Sequence, residues 1–107
     1  MAYYLIQATY NPEAWDALVK NPQNREDAIR PGVEALGGRV HGLWFAFGEY
    51  DIVGIFELPD NISAAAFSFA ASSSRAVKAL KTTPLMTMEE GIEGMRKAPG
   101  SGYQPPS

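Results

Sequence analysis

Aromatic and aliphatic residues fill positions 3–10, and a helical spacing of apolar residues replaces this pattern directly afterwards. The first segment predicts a β-strand that ends at Asn11-Pro12. Asn11 fits the N-cap of a helix that has Pro12 in its first turn and Trp15, Leu18 and Val19 on its apolar face. A second helix is expected over about residues 24–36, kinked at Pro31 and stopped by Gly37-Gly38.

Two apolar segments, residues 39–47 and 50–58, predict a β-hairpin in the middle of the chain. Gly48-Glu49 between them fits a two-residue type II′ turn, which has Gly at its first position. This turn fixes a register that places His41 opposite Phe56. Both faces of the hairpin are mainly apolar in this register, so we expect both to be covered.

The second half of the chain adds a helix, a strand and a final helix. Asp60 fits the N-cap of the first helix, whose expected apolar face is Ile62, Ala65, Ala66 and Phe69. A weaker strand is expected over residues 77–83, stopped by Pro84. Thr87 to Glu90 forms a capping box that starts a helix ending near Lys97. The predicted domain is residues 1–97, and residues 98–107 are expected to form a flexible tail rich in Pro, Gly and Ser.

The predicted order of elements is β-α-β-β-α-β plus a C-terminal helix, which is the α+β, ferredoxin-like split βαβ arrangement. Its two helices cover one face of a four-stranded sheet. The other face is also apolar, and a homodimer that packs two sheets face to face, a dimeric α/β barrel, would cover it. A monomer with a partly hydrated sheet is the alternative.

Gly48-Glu49-Tyr50-Asp51-Ile52-Val53, followed by Glu57-Leu58-Pro59-Asp60-Asn61, resembles the GYD domain family, which is named for a Gly-x-Tyr-Asp motif. The resemblance extends over about residues 3–97 and implies the dimeric α/β-barrel superfamily. That superfamily includes small monooxygenases, isomerases and haem-handling proteins, with chemistry in a cleft between sheet and helices. The resemblance defines no activity for this family. The Ala/Ser/Phe-rich segment 64–74 and the Pro-rich tail depart from the family pattern.

Composition narrows the functional classes. The formal net charge is −3 and no cluster of Lys and Arg is present, which argues against nucleic-acid binding. No apolar run is long enough to span a membrane, and the first residues lack the pattern of a signal peptide. Cys is absent, which excludes disulfides and thiolate metal sites. A cytoplasmic location is the default expectation.

His41 and Asp51 are the candidate catalytic residues. His41 is the only histidine, and in the predicted register it shares an apolar face with Leu43 and Phe45. It could serve there as a general base or an axial haem ligand, or it could be an ordinary core or strand-end histidine. Asp51 beside apolar residues could transfer protons, or it could accept hydrogen bonds from backbone donors at the turn. One histidine does not make a metal site, so no metal is predicted.

Four further residues are candidate ligand contacts: Tyr3, Gln7, Trp44 and Tyr50. Tyr3, Gln7 and Thr9 share one face of the first strand, where they could line a pocket with Trp44 or His41, or form hydrogen bonds across a dimer interface. Tyr50 and Asp51 point to opposite faces, because strand side chains alternate. Met86, Met88 and Met95 are expected to fill the core.

Two functions therefore remain open, and no cofactor is identified. One is a homo-oligomer that binds a small apolar or aromatic molecule between sheet and helices, with acid–base chemistry as an option. The other is a non-catalytic oligomeric sensor or scaffold. Whether the protein is an enzyme is not decided by its sequence.

Overall fold

Four antiparallel strands form a single sheet in the computed structural model, which describes residues 1–107. The strands are β1 (Ala2–Tyr10), β2 (Arg39–Phe45), β3 (Ile52–Leu58) and β4 (Val77–Leu85), in the spatial order β2-β3-β1-β4. β1 lies in the centre and pairs with β3 on one side and β4 on the other. This arrangement confirms the α+β, ferredoxin-like split βαβ prediction.

Four helices accompany the sheet: α1 (Pro12–Lys20), α2 (Arg25–Ala35), α3 (Asn61–Ser72) and α4 (Met88–Lys97). The Asn11 side chain accepts from the Ala14 N–H at 2.9 Å, and the Asp60 side chain accepts from the Ser63 N–H at 2.8 Å. Thr87 and Glu90 form the reciprocal hydrogen bonds of a capping box. These contacts confirm the three predicted helix starts, because each cap satisfies a backbone donor that the helix leaves free.

One face of the sheet packs against α1, α2 and α3 and forms the core. Tyr4, Ile6, Phe56 and Leu58 point to this face and are at most 5% exposed. The hydroxyl group of Tyr4 donates to the Asn61 side chain at 2.7 Å, which joins β1 to the start of α3. The core residues alternate along β1 and β3 because successive strand side chains point to opposite faces.

The opposite face, here called the open sheet face, is covered by no element of the chain. It consists of alternate residues of β1 and β3 together with Trp44 on β2 and Lys81 and Thr83 on β4; those of β1 and β3 are Tyr3, Leu5, Gln7, Thr9, Val53, Ile55 and Glu57. Trp44 is 57% exposed. The prediction of two apolar hairpin faces is confirmed, but within one chain only one of them is covered.

The predicted hairpin register is right near the turn and wrong further from it. Phe45 pairs with Ile52 and Trp44 with Val53, as expected. A β-bulge then makes His41 an extra residue, so that Val40 rather than His41 pairs with Phe56. A bulge transfers the following side chains to the other face, and an alternating pattern cannot predict it.

The type II′ turn at Gly48-Glu49 is also wrong. Gly48 does not have the positive φ that this turn requires. The hairpin instead closes with a hydrogen bond of 2.7 Å from the Ala46 N–H to the Asp51 carbonyl, and residues 47–50 form a wider loop. Phe47 is fully exposed in this loop.

Three predictions about other elements need correction. The strand β4 continues through Pro84 to Leu85. Because β4 is an edge strand, the sheet does not need a backbone N–H donor at the position of Pro84. On α3, Ala64 and Phe67 face the core, whereas Ile62 and Phe69 are 81% and 72% exposed. α3 is apolar almost all round, so its spacing does not define a single face. Val19 on α1 is also exposed.

The helix α4 extends away from the rest of the chain, and its main contacts are with the 3-10 turn Ala98–Ser101 that follows it. Met86, Met88 and Met95 are each at least two-thirds exposed, so they do not fill the core of this chain. The radius of gyration is 17.0 Å. A compact chain of this length would have about 13 Å, and the projecting C-terminal segment accounts for the difference.

Candidate functional site

An apolar cleft lies between the sheet and the helices α2 and α3. Its volume is about 320 Å³, and 15 of the 19 residues that line it are hydrophobic. The sheet contributes its floor: Ile6, Ala8, Leu43, Ile52, Gly54 and Phe56. Ile29 and Leu36 from the α2 side and Phe67 and Ala71 of α3 line the walls. Volumes of this size are at the lower end of those that hold small organic ligands.

A glycine in the floor of the cleft allows the side chains of Leu43 and Phe56 to pack close to the backbone of β3. A Cβ atom added to Gly54 would lie 2.8 Å from the Leu43 Cδ1 atom and 2.9 Å from the Phe56 Cε1 atom. These distances are below van der Waals contact, so a side chain here would displace its neighbours. Polar groups are few, and they are Tyr10, Arg25 and Ser74.

A second, smaller hollow of about 260 Å³ adjoins the cleft on the side of β2. It shares Arg25, Leu43 and Ile52 with the cleft and adds Glu26 and Trp44. Arg25 therefore lies where the two spaces meet.

A polar cluster at one end of the open sheet face centres on Glu57. Its carboxylate contacts the His41 Nε2 atom at 2.8 Å and lies 3.7 Å from the Arg39 Nη2 atom. The Tyr3 ring lies against the His41 ring with 5.1 Å between centroids. The hydrogen bond from His41 is the main cause that holds the pKa of Glu57 below its ordinary value of 4.5, and the charge of Arg39 acts in the same direction against partial burial.

We expect the Glu57→Gln variant to lose stability at neutral pH but not in acid. A folded-state pKa below the unfolded value contributes stability above 4.5, and this contribution is lost as the pH falls through the lowered pKa. Urea unfolding at fixed protein concentration, at neutral pH and well below 4.5, measures the difference from wild type. Glu49→Gln, which changes an exposed carboxylate without hydrogen bonds, is the control. A difference of equal size in acid would contradict the assignment.

Asp51 connects three strands and a helix at the closed end of the hairpin. Its carboxylate Oδ2 atom accepts from the Tyr10 N–H at 2.9 Å and from the Trp15 indole N–H at 3.2 Å. Its own N–H donates to the Ala8 carbonyl at 2.9 Å, and its carbonyl accepts from Ala46. One residue thus joins β1, the ends of β2 and β3, and α1, and we interpret it as a structural acceptor for backbone and indole donors.

A comparison with protein families matches the GYD domain over residues 4–94. The chain belongs to the GYD domain family. No curated protein matches the chain in a sequence comparison. The matched region covers β1 from its third residue onward, the other three strands in full and most of α4.

The Gly-x-Tyr-Asp motif of this GYD domain is residues 48–51, and its aspartate is the residue that ties β1 to α1. Tyr50 is half-buried in the loop before it. The motif lies at the end of the hairpin, and neither Tyr50 nor Asp51 lines the cleft. The structure therefore separates the family motif from this apolar cleft.

The residues proposed from the sequence fall into separate places rather than one site. Tyr3 and His41 lie together beside Glu57, at one end of the open sheet face. Gln7 is on the same face, and the Trp44 indole covers Gly42, where an added Cβ atom would lie 2.4 Å from the ring. The placement of His41 in a groove with Phe56 is wrong, because the bulge turns His41 to the other face.

The cleft residues and Glu57 were missed by the sequence analysis. The apolar cleft residues have no distinctive signal, since they have the same composition as core residues. Glu57 had one available signal, because it is a carboxylate in the middle of an apolar strand. No three His, Cys, Asp or Glu side chains lie close enough together to hold a metal ion. None of the helices is both long and apolar enough to cross a membrane.

Proposed function

We propose that this GYD domain binds a small apolar or aromatic molecule in the cleft between sheet and helices. The observation that carries the proposal is the cleft itself, an apolar space of about 320 Å³ within the fold. Small-molecule sites are usually concave and lined mainly by hydrophobic side chains with a few polar groups, and the cleft has this composition. A ligand of matching chemistry would fill this space and bury the apolar lining without displacing a polar network.

The proposal concerns binding, because the cleft does not combine a base with an acid. Its titratable groups are Arg25 and Tyr10. The residues considered for acid–base chemistry have other partners. His41 forms a hydrogen bond with Glu57, and Asp51 accepts from the Tyr10 and Trp15 N–H groups. General acid–base catalysis requires a positioned group within hydrogen-bond reach of the ligand.

We also propose that the protein forms a homodimer through the open sheet face. Ile55, Val53 and Leu5 form the apolar centre of this face, and an apolar sheet face of this kind usually marks an interaction surface. A second copy would place the same face against it with two-fold symmetry. Glu57 and His41 would lie at its end, and Lys81 and Thr83 along one edge.

The dimensions of the open sheet face favour a contribution from α4 to the dimer interface. Four strands with about 4.8 Å between neighbours and seven residues with a rise of about 3.4 Å give an outline of roughly 19 by 24 Å. The flat area is about half of the ~800 Å² per partner in a typical stable interface. Side-chain relief and the exposed apolar residues Met88, Ile92 and Met95 of α4 would supply the rest.

A non-catalytic oligomeric sensor or scaffold is the second candidate function. The exposed apolar surfaces of the open sheet face and α4 favour it, because they support assembly without requiring a ligand. The two functions differ in whether the cleft is used.

The Ala28→Phe substitution tests the cleft. Ala28 lines the cleft from α2, whereas Ala35 lies two turns further along the same helix, is also exposed and does not line it. We expect Ala28→Phe to weaken binding of the aromatic alcohol 3-phenylpropan-1-ol, measured by titration calorimetry, and Ala35→Phe to leave it unchanged. Loss of about 60 Å² of apolar contact corresponds to about 1.5 kcal/mol, or roughly tenfold in Kd.

Equal affinities of Ala28→Phe and wild type would place the alcohol elsewhere and remove the cleft from the proposal. If wild type binds neither this alcohol nor related aromatic acids, the sensor or scaffold function is favoured.

A further inference from the structure

The cleft has a single charged residue at its edge. Arg25 is the only Asp, Glu, Lys or Arg among the residues that line it, and it also lines the adjoining hollow. It is the first residue of α2 and is half-buried. Arg25 therefore borders two spaces, one of them lined almost entirely by apolar residues.

Arg25 has no carboxylate partner. Its one side-chain hydrogen bond is donated by Nη1 to the neutral amide oxygen of Gln23, at 2.9 Å. The other half-buried arginine, Arg30, pairs with both Glu26 and Asp27. Glu26 is the nearest acidic residue in sequence and lines the adjoining hollow, but its carboxylate is bound by Arg30. A guanidinium group carries five donors, and most of those on Arg25 remain free for a ligand.

We propose that the ligand of the cleft is an amphipathic carboxylic acid, with its apolar part in the cleft and its carboxylate bound by Arg25. This inference rests on the proposed function and specifies its ligand class. A planar guanidinium group binds a carboxylate through two parallel, charge-assisted hydrogen bonds, which an alcohol hydroxyl group cannot form. The apolar lining of the cleft favours a ligand whose other end is apolar.

The cleft volume sets the size of the acid. A volume of about 320 Å³ is that of roughly ten water molecules, which corresponds to a ligand of about ten non-hydrogen atoms. A short arylalkanoic acid or a medium-chain fatty acid meets this limit. A ligand with a second charge would place it against apolar walls, so monocarboxylic acids are favoured.

The test compares an acid with its alcohol on the intact protein. The probes are 3-phenylpropanoate and 3-phenylpropan-1-ol, and calorimetry gives the Kd of each for wild type, Arg25→Gln, Arg25→Lys and Arg96→Gln. Arg96 is an exposed arginine on α4 without a carboxylate partner and is the matched control. Wild type and Arg96→Gln should bind the acid about tenfold more tightly than the alcohol, as a partly exposed charged hydrogen bond allows.

Arg25→Gln should bring the acid to the affinity of the alcohol and leave the alcohol unchanged, and Arg25→Lys should keep part of the preference. The wild-type preference should also decrease with added salt. Equal wild-type affinities for the two probes, both weakened by Ala28→Phe, would overturn this inference and leave cleft binding intact. If Arg25→Gln weakened the binding of both probes equally, this would also overturn the inference, because Arg25 would then contribute only to the shape of the cleft. Binding of neither probe to wild type would refute the inference together with the proposed function.

Discussion

Replacing Ile55 by Asp is expected to prevent the proposed face-to-face dimer and leave a folded monomer. Ile55 lies on the inner strand β3, opposite Leu5 of β1, in the middle of the open sheet face. In a single chain its side chain is half-exposed, so a carboxylate there remains hydrated and the fold is retained. In the face-to-face dimer the same carboxylate would be buried without a partner, which costs about 3 kcal/mol or more and weakens dimerisation at least ~100-fold.

Sedimentation of wild type and variant across a range of concentrations measures this effect, and circular dichroism checks that the variant is folded. Val19→Asp is the matched control, because Val19 is 74% exposed on α1, on the other side of the sheet. It should leave the mass unchanged. A wild type that stays monomeric throughout, or an Ile55→Asp variant that dimerises as tightly as wild type, would refute the interface.

The second large effect is expected for Asp51→Ala, which should lower the free energy of unfolding by about 2 kcal/mol. The substitution leaves the Tyr10 and Trp15 N–H groups without their acceptor. A hydrogen bond to a charged group contributes about 1.5–3 kcal/mol, and the partial exposure of this site reduces the combined loss of the two. The proposed ligand binding in the cleft should persist at temperatures where the variant is folded, because Asp51 does not line the cleft.

Urea unfolding gives the stability of this variant, and Glu49→Ala is the control. Glu49 is an exposed carboxylate two residues earlier without a hydrogen-bond partner, so its loss should change stability by less than about 0.5 kcal/mol. If Asp51→Ala keeps wild-type stability but abolishes ligand binding, Asp51 is a functional residue and our structural interpretation is wrong.

The predicted position of His41 shows where an argument from the alternation of strand side chains fails. Counting back from the hairpin placed Phe45, Trp44, Leu43 and Gly42 correctly, and one extra residue then moved His41 to the opposite face. A bulge depends on how two strands twist against each other and on which side chains fit there. On the face where the bulge places it, His41 forms a hydrogen bond with the Glu57 carboxylate. Neither effect is contained in the spacing of apolar residues.

The helix α3 shows a second limit. In the segment 61–72 most side chains are apolar or small, and the face selected from spacing contained Ile62 and Phe69, which are exposed. The actual inner face is marked by Ala64 and by Ser68, whose hydroxyl group meets the Thr82 hydroxyl group at 2.8 Å. A helix without a polar face is oriented by the surface that it packs against.

Local signals were sufficient for the order of the elements, the helix starts at Asn11, Asp60 and Thr87, and the ferredoxin-like class. Each of these follows from neighbouring residues, because caps and strand alternation are short-range effects. The motif at residues 48–51 was also visible in the chain, as was its match to the GYD domain.

The cleft, the isolation of Arg25 from carboxylates, the Glu57–His41 pair and the uncovered sheet face required the tertiary structure. These features arise from residues far apart in sequence, and an apolar residue that lines a cavity has the same pattern as one that fills a core. Whether a helix covers a space or leaves it open depends on crossing angles and side-chain volumes over the whole domain, which local spacing does not specify.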